Sequence, residues 1–159
     1  MNKQPLEIVA ADLLRDRGWR LAVAESCTGG LVGHRLTNIA GSSTYYLGSI
    51  TAYAYEAKVR LLGVKWESLE KCGAVSKEVV LEMALGVRRT FAADVGLAVS
   101  GIAGPGGGTP DKPIGYTWVG LSTCEHQDAR QFTWDQDRLG NKALSAEATL
   151  QVLVDFLRA

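Results

Sequence analysis

Along the chain, apolar positions at helical spacing alternate with short unbroken apolar runs. From Pro5 to Arg17, Leu6, Val9, Ala10, Leu13 and Leu14 fall on one face of a helix that Gly18 stops. Leu21 to Ala24 is a continuous apolar run and predicts a buried strand. Helical spacing resumes over Leu31 to Asn38, so Ser26 to Gly30 forms the strand-to-helix turn. Gly41-Ser42-Ser43 is a second turn, and Leu47 to Ala54 reads as a strand with Ser49, Thr51 and Tyr53 on one face. Glu56 to Leu62 predicts a short helix closed by Gly63. Ser76 is the N-cap of a helix over Lys77 to Ala93, in which Val80, Met83, Ala84, Val87 and Phe91 repeat at helical spacing. Val95 to Val99 is another buried strand. Gly115 to Thr123 and Ala129 to Trp134 form an antiparallel pair joined by a polar turn over Glu125 to Asp128, and a last helix runs from Asn141 to Leu157.

Alternating helices and strands over the first hundred residues, followed by a hairpin, predict an α/β fold: a three-layer α/β/α sandwich around a mixed, mostly parallel sheet. The 159 residues suit one domain spanning 1–159, with no repeat and no linker. Hydrophobic residues make up 47% and charged residues 21%, the composition of an ordinary globular chain. Lys and Arg together number 17, as do Asp and Glu, and this balance disfavours a broad nucleic-acid surface or an anionic membrane as partner. Cys27, Cys72 and Cys124 are scattered and odd in number, which suits reduced thiols better than a disulfide framework. No signal-peptide pattern and no apolar run of membrane-spanning length is visible, so the expected location is the cytoplasm.

Candidate chemistry gathers where apolar runs meet glycine. Val95 to Val99 leads into Ser100-Gly101-Ile102-Ala103-Gly104-Pro105-Gly106-Gly107-Gly108, and Leu21 to Ala24 leads into Glu25-Ser26-Cys27-Thr28-Gly29-Gly30. Glycine lets a ligand approach the backbone, and open α/β sheets bind ligands at the carboxyl ends of their strands. The Ser26 to Gly30 turn reads either as an anion site on a helix start or as a capped helix whose glycines only permit tight packing. It lacks the Gly-Lys-Ser/Thr ending of a P-loop, so ATP use finds no support. Ser43, Tyr53 and Lys58 can be brought to one sheet edge, where a buried lysine would serve as base; a surface lysine and a capping serine are the plain alternative. His34 and His126 lie outside metal-ligand spacing, and no Gly-x-Ser-x-Gly elbow is present. Cys27 reads as a packed thiol. Arg138 and Lys142, near the start of the last helix, are available to a phosphate or simply to solvent.

Five ordered blocks carry a family resemblance: Ala24 to Gly30, Ala40 to Ser43, Leu61 to Val64, Gly73 to Ser76, and Ser100 to Pro105 with Lys112 to Gly115. From about Leu6 to Leu157 the chain resembles the carboxy-terminal domain of the competence/damage-inducible protein CinA, the nicotinamide-nucleotide amidase family. The resemblance implies hydrolysis of the carboxamide of nicotinamide mononucleotide to nicotinate mononucleotide and ammonia, in pyridine nucleotide recycling. It implies no metal or organic cofactor, a small nucleotide as the binding partner, and a homo-oligomer. By motif, Ser43 resembles the nucleophile, Lys58 its base, Tyr53 the group aligning them, and Ser100 a hydroxyl residue before the glycine loop. Glu25, Ser26, Thr28, Gly29 and Gly30 match the loop assigned to the nucleotide, with its phosphate on the helix start near Gly30. Gly101 and Gly104 match the loop assigned to oxyanion donors. Three positions depart from the family pattern: Tyr55 replaces a small amide, Ser49 a glycine or phenylalanine, and Lys142 an arginine that Arg138 would replace in function. A paralogue that binds a nucleotide without hydrolysing it is the alternative, favoured by Tyr55 and Lys142.

Overall fold

The computed structural model describes residues 4–159. Helix α1 (Leu6–Arg17) ends at Gly18, whose φ of 64° suits glycine. Strand β1 (Leu21–Glu25) is followed by α2 (Leu31–Thr37), a 3-10 turn over Ser42–Thr44, and β2 (Tyr46–Thr51). Helices α3 (Tyr55–Leu62), α4 (Trp66–Cys72) and α5 (Lys77–Phe91) lead to β3 (Val95–Gly101). The hairpin β4 (Tyr116–Ser122) and β5 (Gln127–Thr133) precedes α6 (Arg138–Arg158).

The sheet has the order β2-β1-β3-β4-β5. The first three strands are parallel and the last two antiparallel, the mixed sheet expected from the sequence. Helices α1, α2 and α6 cover one face over Leu21, Val23, Leu97, Val99 and Val119. Helices α3, α4 and α5 cover the other over Ala22, Ala24 and Ala98. Small residues on that second face have a clear cause. A Cβ at Gly96 would lie 2.1 Å from the carbonyl oxygen of Ala84, and one at Gly120 would lie 2.7 Å from that of Val80, both in α5. Thus α5 lies almost backbone-to-backbone on the strands.

Differences from the sequence reading are local. Helix α4 was not expected; its Trp-Glu-Ser-Leu-Glu-Lys-Cys segment buries only Leu69 and gives little periodicity. Helix α6 begins three residues earlier than expected, because Asp137 accepts a hydrogen bond from the Gly140 amide at 2.8 Å and acts as N-cap. Strand β2 ends at Thr51, and the carbonyls of Ala52 and Tyr53 turn to Lys58 instead. From β1 the chain leaves toward β2 on one side while β3 lies on the other. The carboxyl ends of β1 and β3 therefore flank the crevice at which such sheets bind ligands.

Candidate functional site

Ser26 directly follows β1, and Lys58 lies on the second turn of α3, which follows β2. In parallel neighbours both positions fall at the carboxyl end of the sheet. Lys58 is 1% exposed, and its Nζ reaches Ser26 Oγ at 2.9 Å, the Ala52 carbonyl at 2.8 Å and the Tyr53 carbonyl at 3.1 Å. Burial lowers the Lys58 pKa to about 8, because removing an ammonium from water costs free energy. Three acceptors surround the amine. As the ammonium, Nζ donates to Ser26 Oγ and to both carbonyls; on losing a proton it can keep the two carbonyl bonds and turn a lone pair to the Ser26 hydroxyl.

The expected pairing of Ser43 with Lys58 is overturned. Ser43 lies in the 3-10 turn ahead of β2 and is exposed; beside it, the Tyr45 carbonyl accepts from the Leu21 amide at the amino end of β1. Lys58 lies past the other end of β2, and six strand residues span about 20 Å. A residue just before a strand and one just after it cannot meet across that strand. Ser26 was available to the same reasoning: it follows a buried strand directly, as Lys58 follows its own, and parallel strands bring such ends together.

At the helix start, the place expected of an anionic ligand is taken by the protein's own carboxylate. Glu25 is fully buried, and its Oε1 accepts from the Thr28 hydroxyl at 2.6 Å, the Val32 amide at 2.9 Å and the Gly30 amide at 3.2 Å. Oε2 accepts from the Gly33 amide at 3.0 Å. The carboxylate thus takes up the free N–H groups and the positive end of α2, which an incoming phosphate would need. Glu25, Thr28 and Gly30 shape the turn that presents Ser26, and Thr28 and Gly30 also line a groove outside the Ser26–Lys58 cavity. Gly29 is exposed, and a Cβ there would lie 3.8 Å from Lys142 Nζ. Lys142 borders a separate groove with Gly29, His34 and Leu139.

A cavity of about 270 Å³ opens on the Ser26–Lys58 contact. Its walls include Tyr53, Ser100, Gly101, Gly104 and Arg138 from the expected set, together with Cys27 and Ala74. Arg138 bridges the mouth: Nη1 donates to the Gly104 carbonyl at 2.6 Å and Nη2 to the Tyr53 hydroxyl at 3.1 Å. Ser100, 1% exposed, donates its hydroxyl proton to the Ala74 carbonyl at 2.9 Å. Cys27 is a buried thiol whose pKa burial pushes up to about 11, so it stays protonated near neutrality.

In the glycine loop, two glycines leave no room for a side chain. A Cβ at Gly101 would sit 2.5 Å from Thr117 Oγ1, and Gly104, with φ of 84°, would put one 2.6 Å from Ile114 Cγ2. Within that loop the Ile102 amide already donates to the Tyr116 carbonyl. Among the described residues, the amides of Cys27, Gly104, Gly106 and Gly107 on the cavity wall have no partner. Asn141 was not singled out from the sequence. It is buried, donates to the Ala103 carbonyl at 3.0 Å and accepts from the Gln136 amide at 3.0 Å, tying the loop to the start of α6. Tyr55 packs against Trp66 and, like Lys142, does not line this cavity.

A mixed α/β/α sandwich with a serine and a buried lysine meeting at its central strand ends defines the class, and similarity to known proteins defines the family. The CinA C-terminal domain profile matches residues 3–157, and the chain belongs to that family. It is 51% identical over 146 residues to a CinA-like protein of Salinibacter ruber, covering 92% of this chain and 35% of that one. It is 44% identical over 160 residues to a CinA-like protein of Chloroherpeton thalassium, covering 98% and 38%. The chain thus spans little more than a third of the length of these curated relatives. Among solved structures, a CinA superfamily protein from Klebsiella pneumoniae superposes with a TM-score of 0.93 at 32% identity, over 96% of each chain. The competence/damage inducible protein from Agrobacterium tumefaciens superposes with a TM-score of 0.90 at 34% identity, over the full length of both.

Proposed function

We propose that the protein is an amidohydrolase that converts nicotinamide mononucleotide to nicotinate mononucleotide and ammonia, with Ser26 as nucleophile and Lys58 as general base. The observation that carries this reading is the 2.9 Å contact between Ser26 Oγ and the amine of a lysine that is 1% exposed. Neutral Lys58 takes the Ser26 proton as Oγ attacks the carboxamide carbon. The oxyanion that forms is met by backbone N–H groups, among them that of Cys27, the residue after the nucleophile. The Lys58 ammonium then gives its proton to the amide nitrogen, ammonia leaves, and an ester joins the acyl group to Ser26. Lys58 next deprotonates a water that attacks the ester; the acid leaves and Ser26 recovers its proton.

Arg138 at the cavity mouth is the cation for the substrate phosphate, the role first expected of the α2 amino end. Choice of the nicotinamide nucleotide rests on the family resemblance of the ordered motifs. Tyr55 and Lys142, the departures that favour a binding-only paralogue, both lie outside the cavity.

Ammonia release from nicotinamide mononucleotide by the purified protein tests the proposal. Ser26→Ala is expected to lower turnover by at least about a thousandfold, and Ser43→Ala to leave it within twofold, as an order-of-magnitude expectation for an exposed distant residue. A Ser26→Ala protein with near-normal turnover overturns the assignment.

A further inference from the structure

Serine 100 is the part of the cavity whose chemistry the mechanism above does not use. In the β1–β3 pairing Glu25 lies opposite Val99, so the next residues, Ser26 and Ser100, are neighbours across the ladder. The Ser26 amide donates to the Val99 carbonyl at 3.0 Å, which holds that register one residue past the end of β1. Adjacent strands lie about 4.8 Å apart. Side chains alternate between faces, and Ala24 and Ala98 pack on the α5 side, so Ser26 and Ser100 both face that side, where Lys58 lies.

A hydroxyl has one proton to give. Ser100 gives its proton to the Ala74 carbonyl at 2.9 Å. Ala74 itself sits in the short link between α4 and α5, where the Ser76 hydroxyl donates to the Gly73 carbonyl at 2.8 Å. With its donor committed to the wall, Ser100 presents only lone pairs to the cavity. We infer that Ser100 is a specificity-determining residue that accepts a hydrogen bond from the N–H of a primary carboxamide held at Ser26 and rejects the corresponding carboxylate.

This rests on the amidase reading and extends it. A carboxamide whose carbon lies against Ser26 Oγ can turn its oxygen to the backbone amides and its nitrogen, a donor, to Ser100. The carboxylate product has an anionic acceptor in that place, and two acceptors meet with no proton between them. Sites built to pair with a substrate donor discriminate strongly against analogues that lack it. Ser100 therefore separates substrate from product, favouring entry of the amide and departure of the acid from the same pocket.

The test uses a Ser26→Ala background, in which no acyl-enzyme forms, and measures by calorimetry the affinities for nicotinamide mononucleotide and nicotinate mononucleotide. The expected result is an amide preference of about tenfold or more that falls below about threefold in Ser26→Ala/Ser100→Ala and persists in Ser26→Ala/Ser100→Thr, which keeps the hydroxyl. Acid binding that is unchanged or tighter in Ser100→Ala shows that the pocket is intact, so the lost preference then belongs to the amide contact. A preference that survives Ser100→Ala overturns the inference and leaves the amidase reading standing. Failure of both nucleotides to bind overturns the amidase reading and the inference with it.

Discussion

The buried lysine makes a prediction in which rate and stability move together with pH. With its pKa lowered to about 8 by burial, Lys58 is about 1% neutral at pH 6 and half neutral at pH 8. If the neutral amine is the base, kcat/KM rises about tenfold per pH unit at the acid end, by about fiftyfold from pH 6 to pH 8, and by less than about twofold beyond. Cys27, the titrating group electrostatically coupled to Lys58, stays a thiol through this window, its own pKa being about 11. Ammonium release under substrate-limited conditions is the assay. Lys58→Arg removes the activity at every pH, because a guanidinium does not deprotonate.

The same shift has a thermodynamic sign. In the unfolded chain the amine returns to its ordinary 10.5. Between about 8 and 10.5 the unfolded state holds more protons than the folded one, so stability rises with pH across that window. Below about 8 the whole penalty for the buried ammonium is present, of order 3 kcal/mol at 1.36 kcal/mol per pH unit. Denaturant unfolding of the wild type and Lys58→Met, compared from pH 7 to pH 10, isolates this term; other titrations cancel, and the lost hydrogen bonds add a constant. The wild type is expected to gain on the variant by up to about 3 kcal/mol as pH rises. A flat rate between pH 6 and pH 8, or a stability difference that ignores pH, refutes the reasoning.

Glu25 and Gly86 carry predictions about packing. Glu25→Gln puts an NH2 group where Oε1 or Oε2 now accepts, facing amide donors of α2, and is expected to cost about 2–4 kcal/mol in urea unfolding and to misplace Ser26; a loss under about 0.5 kcal/mol contradicts the capping role. Gly86→Ala would favour the helix by about 1 kcal/mol on propensity alone. Its Cβ, however, would lie 1.8 Å from the Leu62 carbonyl oxygen, so a net destabilisation of about 3 kcal/mol or more, read by thermal unfolding, is expected.

Periodicity made the layered fold legible, since β1 and β3 open on unbroken apolar runs and α5 repeats its apolar residues on one face above a serine cap. It failed where a short element is fixed by contacts, as in α4, and where one side chain sets the boundary, as Asp137 does for α6. Lys58 stood out only through the family resemblance, since a lysine opening a helix after a strand reads equally as a surface residue. The resemblance pointed to Ser43, whereas the hydroxyl that Lys58 meets is that of Ser26, and this contact depends on β1 lying beside β2. The glutamate of the Glu-Ser-Cys-Thr-Gly-Gly turn was read as part of a ligand site for a related reason. A turn shaped to hold an anion looks the same in sequence whether the anion arrives from solvent or belongs to the chain.

Because Glu25 occupies the amino end of α2, the loop carrying Ser26 is held in shape by the chain itself. Ligand binding then has no folding of this loop to drive, and affinity is not diminished by the entropy of ordering it. Amide hydrogens at Val32 and Gly33 should exchange equally slowly with the pocket empty or full.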